Sequence, residues 1–544
     1  MTLAWDKKMA CAAEHADLLI ERMGNNPLQI LIATQKAFNH VSDDAICRVA
    51  SALGLPLSRI LGDVEFYSFL SREPLGTYSV LMSDSITDWM LGSRELFLRL
   101  CGNLGVSPRV MRHDGLATVG KTSCTGMCDQ GPALLVNGTA VANLSDDRID
   151  AISRLMEKRI PLAAWPDEYF HVESNIRRRD WLFQDWRGPI LEGEALLQEM
   201  TDAGLRGRGG AGYPTAKKWA SCRDAPGGER HVVCNADEGE PGTFKDRVLL
   251  QHCAGRLFEG MALCARIIKA KKGFLYVRGE YRYLEAHLEA LLAARRDADF
   301  EIELHWGAGA YICGEESALL ESIEGKRGIP RVRPPFPVTF GVHGMPTVVD
   351  NVETFCAAAA IAAGGGREFR SLGTAESCGT KLLSVSGDCA RPGIYEYSFG
   401  VSVDRILEDC GAGNVLAVQV GGAAGNCLDA SEFGRKICFE DLPTSGSVMV
   451  FDRSRDMREA ALNFSRFFAH ESCGFCTPCR VGTEILAQAM EGISAGRGSG
   501  EDIAEIGNLG SILRASHCGL GQSANRAVLD MLRKFPEHFE RGVN

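Results

Sequence analysis

The sequence predicts a multidomain chain of mixed α/β and α class, helical at both ends with sheet-bearing units between. Three observations lead there. Apolar residues recur at near-helical spacing in the front (Leu18, Leu19, Ile20, Met23, then Ile30, Leu31, Ile32), and the chain reads helical again beyond Asp456. Strand-like and helical runs alternate between residues 76 and 365. A length of 544 residues suits about three or four domains at roughly 150 residues each.

Taken in order, residues 1–75 read as a helical bundle, which Ala45–Ala52 continues. Residues 76–160 form a small α/β unit, with strand candidates Tyr78–Met82 and Ala133–Val136 around a helix at Ser93–Gly102. A connector, Ala163 to Gly188, carries Arg177, Arg178 and Arg179 and reads as a solvated or interface stretch. Within 161–365, strand candidates His231–Cys234, Gly273–Val277 and Phe300–His305 alternate with helices Ala254–Ala270 and Tyr283–Ala294, which implies a parallel or mixed sheet. Residues 378–440 place strands Lys381–Val385 and Val415–Val420 around the helix Val403–Cys410, a small α+β domain. Residues 441–544 are helical, interrupted by a cysteine cluster.

Hydrophobic residues make up 45% and charged residues 24%, which excludes a disordered, collagen-like or disulfide-scaffold chain. No apolar run approaches the roughly 20 residues that span a bilayer. Met1–Asp17, with Asp6, Lys7, Lys8, Glu14 and Asp17, lacks the apolar heart of a signal peptide. The expectation is a cytoplasmic protein whose thiols stay reduced, and a net charge of −11 argues against a nucleic-acid partner. Twenty cysteines then need a chemical explanation.

The strongest motif is Cys473-Gly-Phe-Cys476-Thr-Pro-Cys479. Three thiols at this spacing can face one [4Fe–4S] cluster. The ferredoxin run would put a fourth cysteine where Thr483 sits, and Cys518 is the only cysteine after Cys479. Zinc usually takes paired C-x2-C units, so the set favours iron–sulfur, with zinc or structural thiols as the alternatives. Upstream, Cys124-Thr-Gly-Met-Cys128 is one thiol short of a cluster even with Cys101. Other cysteines, such as Cys264, Cys356 and Cys410, read as small core residues.

Gly207, Gly209 and Gly212, with Arg208 and Gly210 between them, satisfy G-x-G-x-x-G, where missing Cβ atoms let backbone approach a phosphate. Helical Ala195–Thr201 precedes the motif where a dinucleotide fingerprint wants a strand, so a flexible glycine turn competes with the phosphate cradle. Two polar loops follow strand candidates: Asn235-Ala-Asp237-Glu238-Gly-Glu240, and Gly307 to Glu316, which includes Tyr311. Open α/β sheets bind ligands at such strand ends; Glu315 and Glu316 can accept ribose hydroxyls and would repel a 2′-phosphate, favouring NAD over NADP.

Together these loops, Arg331-Val-Arg333-Pro-Pro-Phe336-Pro337, Asn351-Val-Glu353-Thr354 and Glu471 to Cys479 resemble the flavin-bearing NADH-oxidising subunit of respiratory complex I, over about residues 190–540. The front 160 residues resemble that complex's thioredoxin-like companion subunit. The fusion, with Asn175-Ile-Arg177, Lys326-Arg327-Gly328 and Ser516–Gly521, is most similar to diaphorase alpha subunits of soluble NAD-reducing [NiFe] hydrogenases, with NAD-dependent molybdenum formate dehydrogenases as runner-up. A non-catalytic iron–sulfur scaffold is the alternative of a different class.

The resemblance implies a helical bundle and thioredoxin-like fold, a Rossmann-like FMN/NAD domain, a ubiquitin-like domain, and a C-terminal helical bundle holding [4Fe–4S]. It implies FMN phosphate on Gly207–Gly212, with Lys218, Asn235, Asp237, Tyr311 and Asn351 contacting flavin. Glu240 would lie near the nicotinamide, Glu316 and Arg333 near the adenosine, and Phe336 on the adenine. Cys473, Cys476, Cys479 and Cys518 would ligate the cluster. The implied partners are an iron–sulfur small diaphorase subunit and hydrogenase or formate dehydrogenase subunits, because no residue set here suggests a nickel or molybdenum site.

Three positions depart from the family pattern. Asp350 stands where Asn is usual, and Arg333 where Lys is commoner. Ser83 and Asp88 occupy the positions of two cysteines that precede the C-x3-C pair in the companion subunit. The expectation is an N-terminal domain that kept its fold and lost a [2Fe–2S] cluster.

Overall fold

The computed structural model describes residues 17–21, 24–295 and 299–540. The leader reading of residues 1–16 and the apolar position Met23 lie outside the described residues.

Three short helices, Pro27–Phe38, Asp43–Ala52 and Leu57–Phe66, form the front. Asn26 and Ser42 cap the first two through side-chain oxygens that accept backbone N–H groups, and Pro27 opens the first helix where its missing donor costs nothing. These helices share one apolar core with the C-terminal bundle and with the face of Glu316–Ile323. Gln29 donates to the Trp306 carbonyl at 3.0 Å, and the Tyr67 hydroxyl reaches Ser322 at 2.9 Å.

The next unit has a four-stranded sheet in the order Ala117–Thr122, Tyr78–Ser83, Leu134–Val136, Thr139–Val141. Its first pair is parallel and the others antiparallel. The sequence reading missed Ala117–Thr122, whose Gly120 and Lys121 weaken the strand pattern.

The sheet of the 161–365 unit is wholly parallel, in the order Glu301–Trp306, Lys272–Val277, His231–Ala236, Thr347–Asn351. Buried strands read as near-continuous apolar runs, and Val232, Val233, Phe274, Leu275 and Tyr276 are all buried here. Thr347–Asn351 escaped the sequence reading because five residues between Pro346 and a helix leave no periodicity to count.

The expected boundary at 440 is corrected. Ser447–Asp452 is an inner strand of the following sheet, pairing with Thr380–Gly387 on one side and Val415–Val420 on the other. That unit therefore runs on to Asp452. Its far edge strand, Ile176–Arg178, comes from the Arg-rich connector and pairs with Gly393–Ser398. Glu396 anchors the connector, accepting the Leu182 and Asp180 N–H groups at 2.6 and 2.8 Å. Residues 457–540 are a helical bundle led by Met457–Glu471, Thr477–Ser494 and Gly500–Arg514.

Candidate nucleotide and cluster sites

In the parallel sheet the chain adds two strands on one side of His231–Ala236 and then crosses to place Thr347–Asn351 on the other. Ligands bind open α/β sheets at such a switch, beyond the carboxyl ends of the strands. Asn235 and Asn351 are register partners at that end, and a cavity of about 500 Å³ opens there. Gly207, Gly209, Gly212, Lys218, Asn235, Glu315, Glu316, Arg333, Phe336 and Asn351 line it, together with Asp350 and Thr354.

The glycine loop closes on itself: Gly207 N–H donates to the Tyr213 carbonyl at 2.9 Å. Gly210 and Gly212 have φ of +121° and +64°, which side chains resist. A Cβ on Gly209 would lie 3.3 Å from the Asn351 Cβ, so bare backbone walls the cavity. Arg208 turns away from it. Its guanidinium is buried, donating to the Arg206 and Cys378 carbonyls at 2.8 and 2.9 Å, and its own N–H meets Thr354 Oγ1 at 2.9 Å.

Lys218 Nζ donates to the Val349 carbonyl at 2.8 Å and pairs with Asp350 at 3.0 Å. Burial opposes its charge, but Asp350 and then Glu316 outweigh that and hold its pKa above the ordinary lysine value. Asp350 is fixed in turn by Trp219 Nε1 at 2.8 Å.

Asn351 is gripped by two residues the sequence reading missed. Lys245 Nζ donates to its oxygen at 3.0 Å, and its amide donates to Asp246 at 2.6 Å. Glu353 and Lys381 complete this buried network, where burial pushes Lys381 down to about 8 despite the Glu353 carboxylate. The charged pair after Gly242, at the mouth of a glycine-rich turn, was the available signal.

At the other end, Glu315 caps the helix Glu316–Ile323, accepting the Ser317 and Ala318 N–H groups at 3.0 and 2.9 Å. Arg333 Nη1 bridges Glu315 and Glu316 at 3.1 and 3.0 Å, and half-exposed Phe336 stands on the rim.

Besides Arg208 and Gly210, four expected residues lie outside the cavity wall: Asp237, Glu238, Glu240 and Tyr311. Glu238 accepts the Asp246 and Arg247 N–H groups at 2.8 and 3.1 Å and the Tyr281 hydroxyl at 2.9 Å, fixing the start of a helix. Asp237 lies in a smaller cavity behind Tyr311, with Ser123 and Glu471; its Oδ2 is buried without a partner and burial pushes its pKa well up. Glu240 accepts the Tyr311 hydroxyl at 2.6 Å and the Ala424 N–H at 3.1 Å, and burial pushes its carboxyl up to about 7.

The four cysteines Cys473, Cys476, Cys479 and Cys518 face one small cavity with Ile312, Pro330, Phe475, His517 and Leu520. Cys476 occupies the position before the helix Thr477–Ser494, with Pro478 in its first turn, and Cys518 the position before Gly519–Ser523. A Cβ on Gly521 would come within 2.9 Å of the Cys479 Cβ, so only glycine lets the second segment close on the first.

Both sites fit the expected groups. Four thiols converging on one apolar cavity form a soft, all-sulfur donor set suited to [4Fe–4S]. A glycine-walled cavity with one lysine and two strand-end asparagines suits a flavin phosphate and ring. The two cavities share a wall: Ile312 faces the cysteines, while Gly314–Glu316 face the nucleotide cavity. Pro330 and Arg333 repeat that division.

In the front unit, Ser83, Asp88, Cys124 and Cys128 do come together. The Ser83 hydroxyl donates to Asp88 at 2.5 Å, and Cys124 Sγ lies 3.2 Å from Cys128 Sγ. Of the remaining thiols, Cys264, Cys356 and Cys410 are buried, while Cys47 is exposed and Cys11 lies outside the described residues.

Three family models match: the Nuo51 FMN-binding domain over residues 200–360, the thioredoxin-like [2Fe–2S] ferredoxin over 17–157, and the iron–sulfur binding region of NADH-ubiquinone oxidoreductase F over 459–542. The alpha subunit of the NAD-reducing hydrogenase HoxS from Cupriavidus necator is 38% identical, covering 94% of this chain and 91% of that protein. The F subunit of the NADH-quinone oxidoreductase of Salmonella typhimurium is 38% identical over 72% of this chain and 92% of that one. A crystal structure of an NAD+-reducing [NiFe]-hydrogenase in the H2-reduced state superposes with a TM-score of 0.90 at 43% identity, covering 96% of this chain and 93% of that one. No described helix is long and apolar enough to cross a membrane. On fold, cavity and cysteine set alike, this chain belongs to the family of alpha subunits of NAD-reducing hydrogenases, relatives of the F subunits of NADH-quinone oxidoreductases.

Proposed function

We propose that this chain is the diaphorase subunit of an NAD-reducing hydrogenase, moving electrons between NAD(H), FMN and a [4Fe–4S] cluster. The observation that carries this is the shared wall: the segment Ile312–Glu316 separates the nucleotide cavity from the four-cysteine cavity. When bound, FMN supplies conversion between hydride and single electrons, and the cluster supplies a one-electron path outward.

The protein's own residues do the binding and orienting. Gly207–Gly212 and Lys218 receive the flavin phosphate side, while Asn235 and Asn351 fix its ring edge. Lys245 and Asp246 keep Asn351 from rotating. Arg333, held by Glu315 and Glu316, orients the adenosine; Glu316 keeps one oxygen for a ribose hydroxyl, and Phe336 offers its face to the base. Glu240 near the nicotinamide titrates close to neutrality and can hold or release a proton there. Hydride transfer depends on such positioning and on exclusion of water more than on acid–base groups.

The hydrogen-activating chemistry and the next iron–sulfur carrier belong to partner subunits, a hydrogenase pair and a small diaphorase subunit. We read the sheet from Thr380 to Asp452 with the helix Val403–Cys410 as the ubiquitin-like unit. On this reading the front domain has lost its [2Fe–2S] cluster: Ser83 and Asp88 stand where two ligating cysteines would, and the Ser83 hydroxyl donates to Asp88.

The test is purification followed by spectroscopy and turnover. FMN absorbance with NADH-dependent ferricyanide reduction is expected. A flavin-free protein inert to NADH would leave only the scaffold reading.

A further inference from the structure

The C-x3-C pair of the front domain has no part in the path from nucleotide to cluster, yet its two sulfurs lie 3.2 Å apart in a buried loop. We propose that Cys124 and Cys128 are a reversible dithiol–disulfide site, oxidised by hydrogen peroxide, at the contact between the front domain and the flavin domain.

The geometry distinguishes the two sulfurs. Cys124 Sγ accepts the Gly126 N–H at 3.4 Å, so of the two sulfurs in contact it is the better-stabilised thiolate and the attacking atom. The Arg278 guanidinium, from the flavin domain, binds the Cys124 carbonyl and adds positive charge beside it. Neither sulfur is committed to a metal: Asp88, the nearest carboxylate, already accepts the Ser83 and Ser85 hydroxyls and the Ala133 N–H.

The chemistry balances. Cys124 Sγ attacks one peroxide oxygen, the O–O bond breaks, and hydroxide leaves with the thiol proton as water, giving a sulfenic acid. Cys128 Sγ then attacks that sulfur and a second water leaves. Two thiols lose two electrons and peroxide gains two. An added dithiol such as dithiothreitol reverses the bond by exchange.

The loop is wired into the site. Ser123 Oγ, next to Cys124, donates to Glu471, which also accepts the Tyr311 N–H at 2.9 Å. Gly126 leaves no room beside Tyr281, so the loop sits hard against the flavin domain.

The experiment uses full-length protein, reduced with dithiothreitol, desalted, exposed to one equivalent of hydrogen peroxide, alkylated under denaturing acid quench and digested with trypsin. Peptide Thr122–Arg148 contains both cysteines. Reduced protein is expected to give this peptide doubly alkylated; peroxide-treated protein should give it unalkylated and lighter by two hydrogens, and dithiothreitol should restore it. In Cys128→Ser, Cys124 should stop at the sulfenic acid and be trapped by dimedone. Full alkylation of both cysteines after peroxide, with oxidation only at exposed Cys47, would overturn the proposal. So would iron or zinc retained on the Cys124–Cys128 pair. Should Cys128→Ser fail to fold, the native peptide decides alone.

Discussion

Tyr311 donates its hydroxyl to Glu240 across 2.6 Å, and Glu240 turns its second oxygen to the Ala424 N–H of the neighbouring domain. Burial raises this carboxyl to about 7, and both hydrogen bonds act against that rise by favouring the ionised form. Glu240 is therefore neutral below about pH 7 and charged above it.

A pH profile of NADH–ferricyanide turnover should accordingly show an inflection near 7. Tyr311→Phe removes a hydrogen bond to a charged acceptor, worth about 1.5–3 kcal/mol, so the inflection should move up by on the order of one to two pH units. Glu240→Gln should remove it. An unmoved inflection in Tyr311→Phe would show that another group titrates.

Asp350 neutralises Lys218 on the cavity wall. Asp350→Asn keeps the shape and deletes the charge, leaving only Glu316 to offset the Lys218 ammonium. A more positive field stabilises the electron-rich reduced flavin, so the FMN potential should rise by tens of millivolts; for a two-electron couple ~30 mV corresponds to about 1.4 kcal/mol. Redox titration of the flavin absorbance reads this directly, and a fall in potential would contradict it.

Cys476→Ala should keep its flavin and lose the reduced-cluster EPR signal, because Cys476 belongs to the cysteine cavity and not to the nucleotide cavity. A full signal in that variant would reassign the ligands.

Iron analysis of the isolated chain should give about four atoms, one cubane on four cysteines. A value near six would mean that the front domain holds a [2Fe–2S] centre despite Ser83 and Asp88.

Cysteine spacing and strand-end polar loops made the cluster and the nucleotide cavity legible, since both signals are local. Cys518 was reachable by elimination, as no other cysteine follows Cys479. What sequence could not give was direction. Arg208 lies inside a phosphate-type motif, yet its guanidinium finds two carbonyls behind the loop. Glu238 sits between two loop acids and instead caps a helix, because three donors converge on it from elements distant in the chain or just downstream. Lys245 and Asp246 matter only because Asn351, over a hundred residues later, lands beside them. Ser447–Asp452 was missed because its partners come from far earlier in the chain, and strand pairing is not a local property.

That strand has a practical consequence for anyone dividing the gene. A fragment ending at 440 would lose an inner strand and leave Thr380–Gly387 and Val415–Val420 facing each other across a gap, two open edges prone to aggregation. A split placed after the Arg-rich connector would strip Ile176–Arg178 from the opposite edge. A cut near residue 160 would spare this sheet, with the stretch from Asn175 to Asp452 kept in one piece, but would bare the apolar core that the front helices share with the C-terminal bundle.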